Sequence, residues 1–288
     1  MSQSSKSLDD LRREIDEIDD NLHDLLMRRA EIVEGVPAVK RSGNTPALRP
    51  GREAMILRRL ADRHKGRFSR AVMVRLWREL LSGMTAMQAP FAVAVLVPEN
   101  APGYWDLARD HYGSHTQMTP FRSVAQVIRA VSEGNAAVGV LPMPQDGEAD
   151  PWWRMLISAD AGTPRVISRL PFASSGNARV GDQSVLAIGC GIAEPSGADR
   201  SLFVIETHGE VSRARIFSTM TAAGLPVTFY TSYEPTTGVA LNLLEFDDFV
   251  TADDARLLKA VGQLGEAVER VSQLGSYPRP LGPETSKA

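Results

Sequence analysis

Within the first forty residues, Leu8, Leu11, Ile15, Ile18, Leu22 and Leu25 recur at alternating steps of three and four. This is the heptad spacing of a helix packed lengthwise on another helix. The next step lands on Arg29, and the seam resumes at Ile32, Val36 and Val39. A guanidinium on the buried side of a helix is costly unless an anion meets it. That anion is either a carboxylate of the protein or one carried by a ligand. Thirty-odd helical residues at 1.5 Å each extend roughly 45–50 Å, more than a compact three-helix unit covers alone. A helix from a second copy is the simplest cover.

At 288 residues the chain is long for one core, so two or three domains are expected. A single cysteine, Cys190, excludes an internal disulfide framework and suits a reducing compartment. No apolar run approaches a membrane span and the N-terminus lacks a signal-peptide core, so a cytoplasmic protein without a membrane partner is expected. Residues 1–90 hold seventeen Lys and Arg against thirteen Asp and Glu, a net +4, while the remainder carries −7. The arginines alternate with acids instead of forming a basic run, which favours a small anionic ligand over nucleic acid.

Residues 8 to about 36 read as one long helix, which Gly35 and Pro37 then weaken or kink. A second helix opens at Pro50 and runs to about His64, with Met55, Ile56, Leu57 and Leu60 inward. A third spans Ser69 to about Ala89, its apolar face made by Val72, Leu76, Trp77, Leu80, Leu81 and Met84, with Gln88 in line. Beyond Pro90 the texture changes. Buried-strand runs at 91–97 and 136–142 bracket helices near 103–112 and 123–133. Strands follow at 165–170, 184–188 and 201–205. From about 201 the order is strand, helix (210–223), strand (226–231), strand (239–246) and helix (251–273), a small α+β sandwich. A disordered tail is expected over 279–288.

The chemistry-bearing side chains of the helical part are Arg12, Arg29, Lys40, Arg52, Glu53 and Gln88. Each has an ordinary structural explanation: Arg12 as a solvated face charge, Arg29 paired with a buried acid, Gln88 fraying at a helix end. Jointly, cations, one acid and one amide along three helices suit a small anionic ligand. The five histidines show no metal spacing, and neither a metal nor a cofactor is expected. Trp152-Trp153 reads as a packing anchor and Cys190 lacks a nucleophile's setting.

The stretches LDDLRREIDEIDDNLHDLLMRRAEIV, VK at 39–40, RPGREAMILRRL at 49–60 and RLWRELLSGMTAMQ at 75–88 resemble the all-helical chorismate mutase family, including the mutase part of bifunctional mutase–dehydratases. The resemblance implies an all-α three-helix domain that forms an interlaced homodimer, and chorismate as the substrate. It implies that Arg12, contributed across the dimer, and Arg29 hold the substrate carboxylates. Lys40 and Gln88 would donate to the ether oxygen. Glu53, with backbone at Arg49, would hold the ring hydroxyl, and Arg52 would support the site. Met84 stands where many relatives carry a serine that donates to a carboxylate, and Pro37 lies three residues before Lys40. The implied reaction, chorismate to prephenate, is a concerted rearrangement needing no acid, base or metal. It calls for a compact bound conformer and donors aimed at the developing oxyanion.

Residues 91–200 resemble more weakly one α/β lobe of a prephenate dehydratase, through VAVLVPEN, SVAQVIRAVSEGNAAVGVLP and VISRLPF. Arg200-Ser201-Leu202 stands where that family has its Thr-Arg-Phe triplet, so dehydration is not expected. Residues 201–278 resemble an ACT regulatory domain through YTSYEP at 230–235 and LGSYP at 274–278, which implies an aromatic amino acid as a candidate effector. Two rivals to a plain mutase are therefore a bifunctional mutase–dehydratase and a non-catalytic binder of an aromatic metabolite.

Overall fold

The computed structural model describes residues 6–282 apart from 41–45, 100–102, 159, 161, 180, 182, 192 and 209–210, and apart from the side chains of 37–40. Three helices come first: α1 (Leu8–Lys40), α2 (Pro50–Arg63) and α3 (Arg70–Ala86). There follow β1 (Ala92–Leu96), α4 (Gly103–Tyr112), β2 (Gln117–Phe121), α5 (Val124–Ser132) and β3 (Val138–Pro142). A 3-10 turn at Trp152–Leu156 leads to β4 (Arg165–Leu170), β5 (Val185–Gly189) and β6 (Asp199–His208). The chain closes with α6 (Arg213–Ala222), β7 (Val227–Thr236), β8 (Val239–Phe246), α7 (Ala255–Leu264), a 3-10 turn at Gly265–Ala267 and β9 (Val268–Pro278).

A helical N-terminal region thus precedes a large mixed sheet. Among the described residues, nine strands join one sheet in the order β2-β1-β3-β5-β4-β9-β6-β8-β7. β1 pairs in parallel with β2 and β3, as crossover helices α4 and α5 require. The β6-to-β9 part is antiparallel. Its helices α6 and α7 cover one face through Ile216, Met220, Leu257 and Leu264.

The two parts of the sheet meet where β4 runs parallel to β9, Val166 opposite Gly275. Gly275 has φ +143°, and a Cβ there would collide with the Val166 backbone. No other residue fits so close an approach.

Several elements depart from expectation. α1 continues through Pro37 to Lys40, because one lost amide donor does not end a helix already many turns long. Strand β2 replaces what reads as a linker between helices. The helix expected over 251–273 stops at Leu264, where Gly265 takes φ +72°. Residues 268–278 form β9 instead, the strand that joins the two parts of the sheet. Spacing of three among Val268, Val271 and Leu274 imitates a helix. Arg279–Gly282 also departs from the expected tail: the Arg279 amide donates to Ala198 and the Leu281 amide to Phe172. Residues 283–288 lie outside the described residues. Trp152 and Trp153 are buried in the main core, as a packing anchor should be.

The helices pack differently from their apolar stripes. On α2 the buried residues are Gly51, Ala54, Leu57 and Ala61, while Met55 is exposed. On α3, Val74, Arg78, Leu81, Ser82, Met84 and Thr85 are buried, and Val72 and Leu76 face outward. The seam of α1 is uncovered: Leu8, Leu11, Ile15, Ile18, Leu22, Leu25 and Ile32 are all exposed. Replacing Gly275 with Ala should lower unfolding stability by more than about 2 kcal/mol, measured by denaturant unfolding; an unchanged midpoint would show that the β4–β9 junction yields freely.

Candidate functional site

Three of the expected site residues converge on the C-terminal half of α3. The half-buried Arg29 reaches from α1 across to α3, where Nη1 meets the sulfur of Met84 and the guanidinium lies 5.8 Å from the Trp77 ring centroid. Desolvation lowers its pKa, and the group stays cationic because guanidinium does not deprotonate in proteins. Its partners among the described residues are a soft sulfur and a π face, not a carboxylate, so its charge is available to an anion. Gln88 sits in the turn just beyond α3, with its amide nitrogen donating to the Met84 carbonyl at 3.2 Å. Met84 therefore ties Arg29 to Gln88.

The other candidates lie elsewhere. Arg12 is exposed on α1 and pairs with Asp9 one turn back, at 3.4 Å. Arg52 is exposed on the first turn of α2. The side chain of Lys40 lies outside the described residues. The Arg49 carbonyl accepts the first hydrogen bond of α2 from the Glu53 amide, while its side chain forks onto Glu194 with three contacts of 2.7–2.9 Å.

Glu53 faces the sheet and not Arg29. Its carboxylate accepts from Arg78 Nη1 at 2.8 Å, with both side chains largely buried. Burial raises the Glu53 pKa against the opposing pull of Arg78. The Arg78 guanidinium stacks 5.0 Å from the Phe172 ring centroid. Beside it on α4 lie His111 and Tyr112, both buried. Arg78 was not singled out in the sequence, although it breaks the Val74–Leu81 side of α3 as Arg29 breaks the seam of α1. Arg58 makes a second bridge, donating to the carbonyls of Ser196, Ala198 and Arg279 at 2.7–2.9 Å.

At the Arg200-Ser201-Leu202 triplet, Arg200 is engaged by Glu245 at 2.9 Å and by Asp247 at 3.2 Å. Ser201 is fully buried: its hydroxyl bonds Asp248 and Ser276 and accepts the Val250 amide. Among the described residues, no group of three or more His, Cys, Asp or Glu could hold a metal ion, and no helix is long and apolar enough to cross a membrane.

Two outcomes follow from the buried cluster. Removing one member of the Glu53–Arg78 pair, as in Arg78→Leu, should cost about 3–5 kcal/mol of stability. The double variant Glu53→Leu with Arg78→Leu should recover most of that loss in the same unfolding experiment. The pKa of His111 is held well below its ordinary value, first by desolvation and second by Arg78. The folded state then leaves His111 neutral while the unfolded chain binds a proton below about pH 6.5. The contribution of this group is full above that pH and declines as pH falls. Stability against thermal unfolding should accordingly fall from pH 7 to 5, and His111→Gln should flatten that slope.

Residues 11–89 match the family model described as Chorismate mutase type II. The bifunctional chorismate mutase/prephenate dehydratase of Pseudomonas aeruginosa is 33% identical over 143 residues, which cover 48% of this chain and 39% of that protein. The corresponding protein of Stutzerimonas stutzeri is 32% identical over the same length. The chain thus spans about two-fifths of the length of these curated relatives. Among solved structures, a prephenate dehydratase from Streptococcus mutans aligns over 65% of this chain and 97% of its own, at 14% identity and a TM-score of 0.46. The helical N-terminal region of this chain matches the chorismate mutase type II family, and the relatives that share it are bifunctional chorismate mutase/prephenate dehydratases.

Proposed function

We propose that this chain is a chorismate mutase that works as a homodimer in the cytoplasm and lacks dehydratase activity. The observation that carries the proposal is Arg29. It interrupts the α1 seam, finds no carboxylate among the described residues and lies beside Met84, one turn from Gln88. A substrate carboxylate supplies the missing anion, and a bidentate guanidinium pair fixes its orientation. Gln88 and Lys40 then donate to the ether oxygen as negative charge grows there. The protein's task is to select the compact conformer and stabilise that charge, with no proton transfer.

The uncovered seam supports the dimer. Isolated helices are marginal in water, and burying each Leu or Ile contributes about 1.5–3 kcal/mol. A second α1 laid along the first would cover the seam and bring its own Arg12 toward the site. Arg49, Arg52 and Glu53 are assigned supporting roles at the start of α2, and Met84 replaces a polar carboxylate contact with a thioether. Absence of dehydration is supported by Ser201 and Arg200, whose polar atoms are spent on internal structure.

Purified protein should consume chorismate, followed by its ultraviolet absorbance, and should form no phenylpyruvate from prephenate. Arg29→Ala and Gln88→Ala should each lower kcat/KM by two to three orders of magnitude, about 3–4 kcal/mol, while sedimentation still shows dimers. A folded dimer that leaves chorismate untouched would overturn the mutase assignment. Met84 sustains one second reading, a binder without turnover. Calorimetric binding of a chorismate-like dicarboxylate in the absence of turnover would select it.

A further inference from the structure

Where the helices meet the sheet, a cavity of about 260 Å³ lies between the start of α2, the end of α3, the end of α5 and the end of β5. Leu48, Phe91, Val131 and Ile167 supply apolar walls, and small residues such as Ala89 and Ala136 leave the space open. Among the described residues, the charged side chains on its lining are Arg49 and Glu194. Their fork uses Nε and Nη2 of Arg49, leaving the Nη1 edge outside the pair. Both side chains are more than a third exposed, so their pairing contributes little and rearranges readily.

We propose that this cavity binds a small aromatic monocarboxylate, its ring among the apolar walls and its carboxylate on the Nη1 edge of Arg49. Size sets the first limit. A cavity of about 150 Å³ takes benzene, so this one has room for a ring with a short acid side chain. Charge sets the second limit. Arg49 has one open edge and Glu194 stands beside it, so a single carboxylate is accommodated and a second is repelled. The site is therefore distinct in chemistry from one built for a dicarboxylate, and it does not depend on the mutase assignment. A ligand there touches both halves of the chain, from the α2 start at Arg49 and Pro50 to the β5 end at Gly189.

Cys190, the sole cysteine, lines the same cavity and is solvent-exposed, which makes it a reporter independent of turnover. Alkylation of Cys190 in the full chain by iodoacetamide should slow several-fold, and saturably, with 3-phenylpropionate. Neither 3-phenylpropanamide nor acetate should protect. Arg49→Gln should abolish protection, and the exposed cavity-wall substitution Ala89→Trp should do so without touching the ion pair. Equal protection by the amide, or full protection in Ala89→Trp, would overturn the proposal, as would no protection by 3-phenylpropionate in the unaltered protein.

Discussion

The attachment of the helices to the sheet depends on the half-buried Arg58 and the buried Arg78, whose guanidinium groups need partners where water is excluded. Arg58 is satisfied by three carbonyls of the segments flanking β6 and β9. Arg78 pairs through Nη1 with Glu53 and stacks on the face of Phe172, while its buried Nε has no hydrogen-bond partner among the described residues. Because an unpaired buried charge costs several kcal/mol, these partners must all be in place together. Close approach is the steric counterpart of that demand: a Cβ on Gly51 would stand 2.8 Å from the Glu194 carbonyl oxygen. Charge pairing and tight contact fix the same seating of α2 and α3.

That seating explains why the stripe on α3 points the wrong way. One face carries polar residues inward, Arg78, Ser82 and Thr85: Arg78 is held by Glu53 of α2 over the Phe172 ring, and the Thr85 hydroxyl donates to the Leu81 carbonyl of its own helix. The opposite face keeps Val72 and Leu76 exposed, continuing the uncovered surface of α1. The helices thus have two apolar obligations. The sheet meets one, and the proposed second copy meets the other.

Glu53 shows where the resemblance and the geometry pull apart. Its place at the start of α2 suits a hydroxyl acceptor, yet its carboxylate is held by Arg78, whose guanidinium stacks on Phe172. The same buried corner contains His111, kept neutral by burial and by the nearby Arg78 cation. Residues of the helices and of the sheet part therefore share one electrostatic environment, and a change in either half is felt in the other.

From the sequence alone come the three helices, the interruption at Arg29, and the strand-rich texture after Pro90, since these are local patterns of period and composition. Arg29 was legible because it breaks a regular repeat. Arg78 was less so, because its partner Glu53 is 25 residues away and the ring beneath it belongs to Phe172. Strand β9 was hidden by a helix-like spacing and revealed only by what it pairs with. Its place between β4 and β6 depends on Gly275 opposite Val166, a contact between residues 109 apart in number. Local periodicity specifies which face of an element is apolar. Only the tertiary structure decides which neighbour covers that face, because cover and charge compensation come from residues distant in the chain.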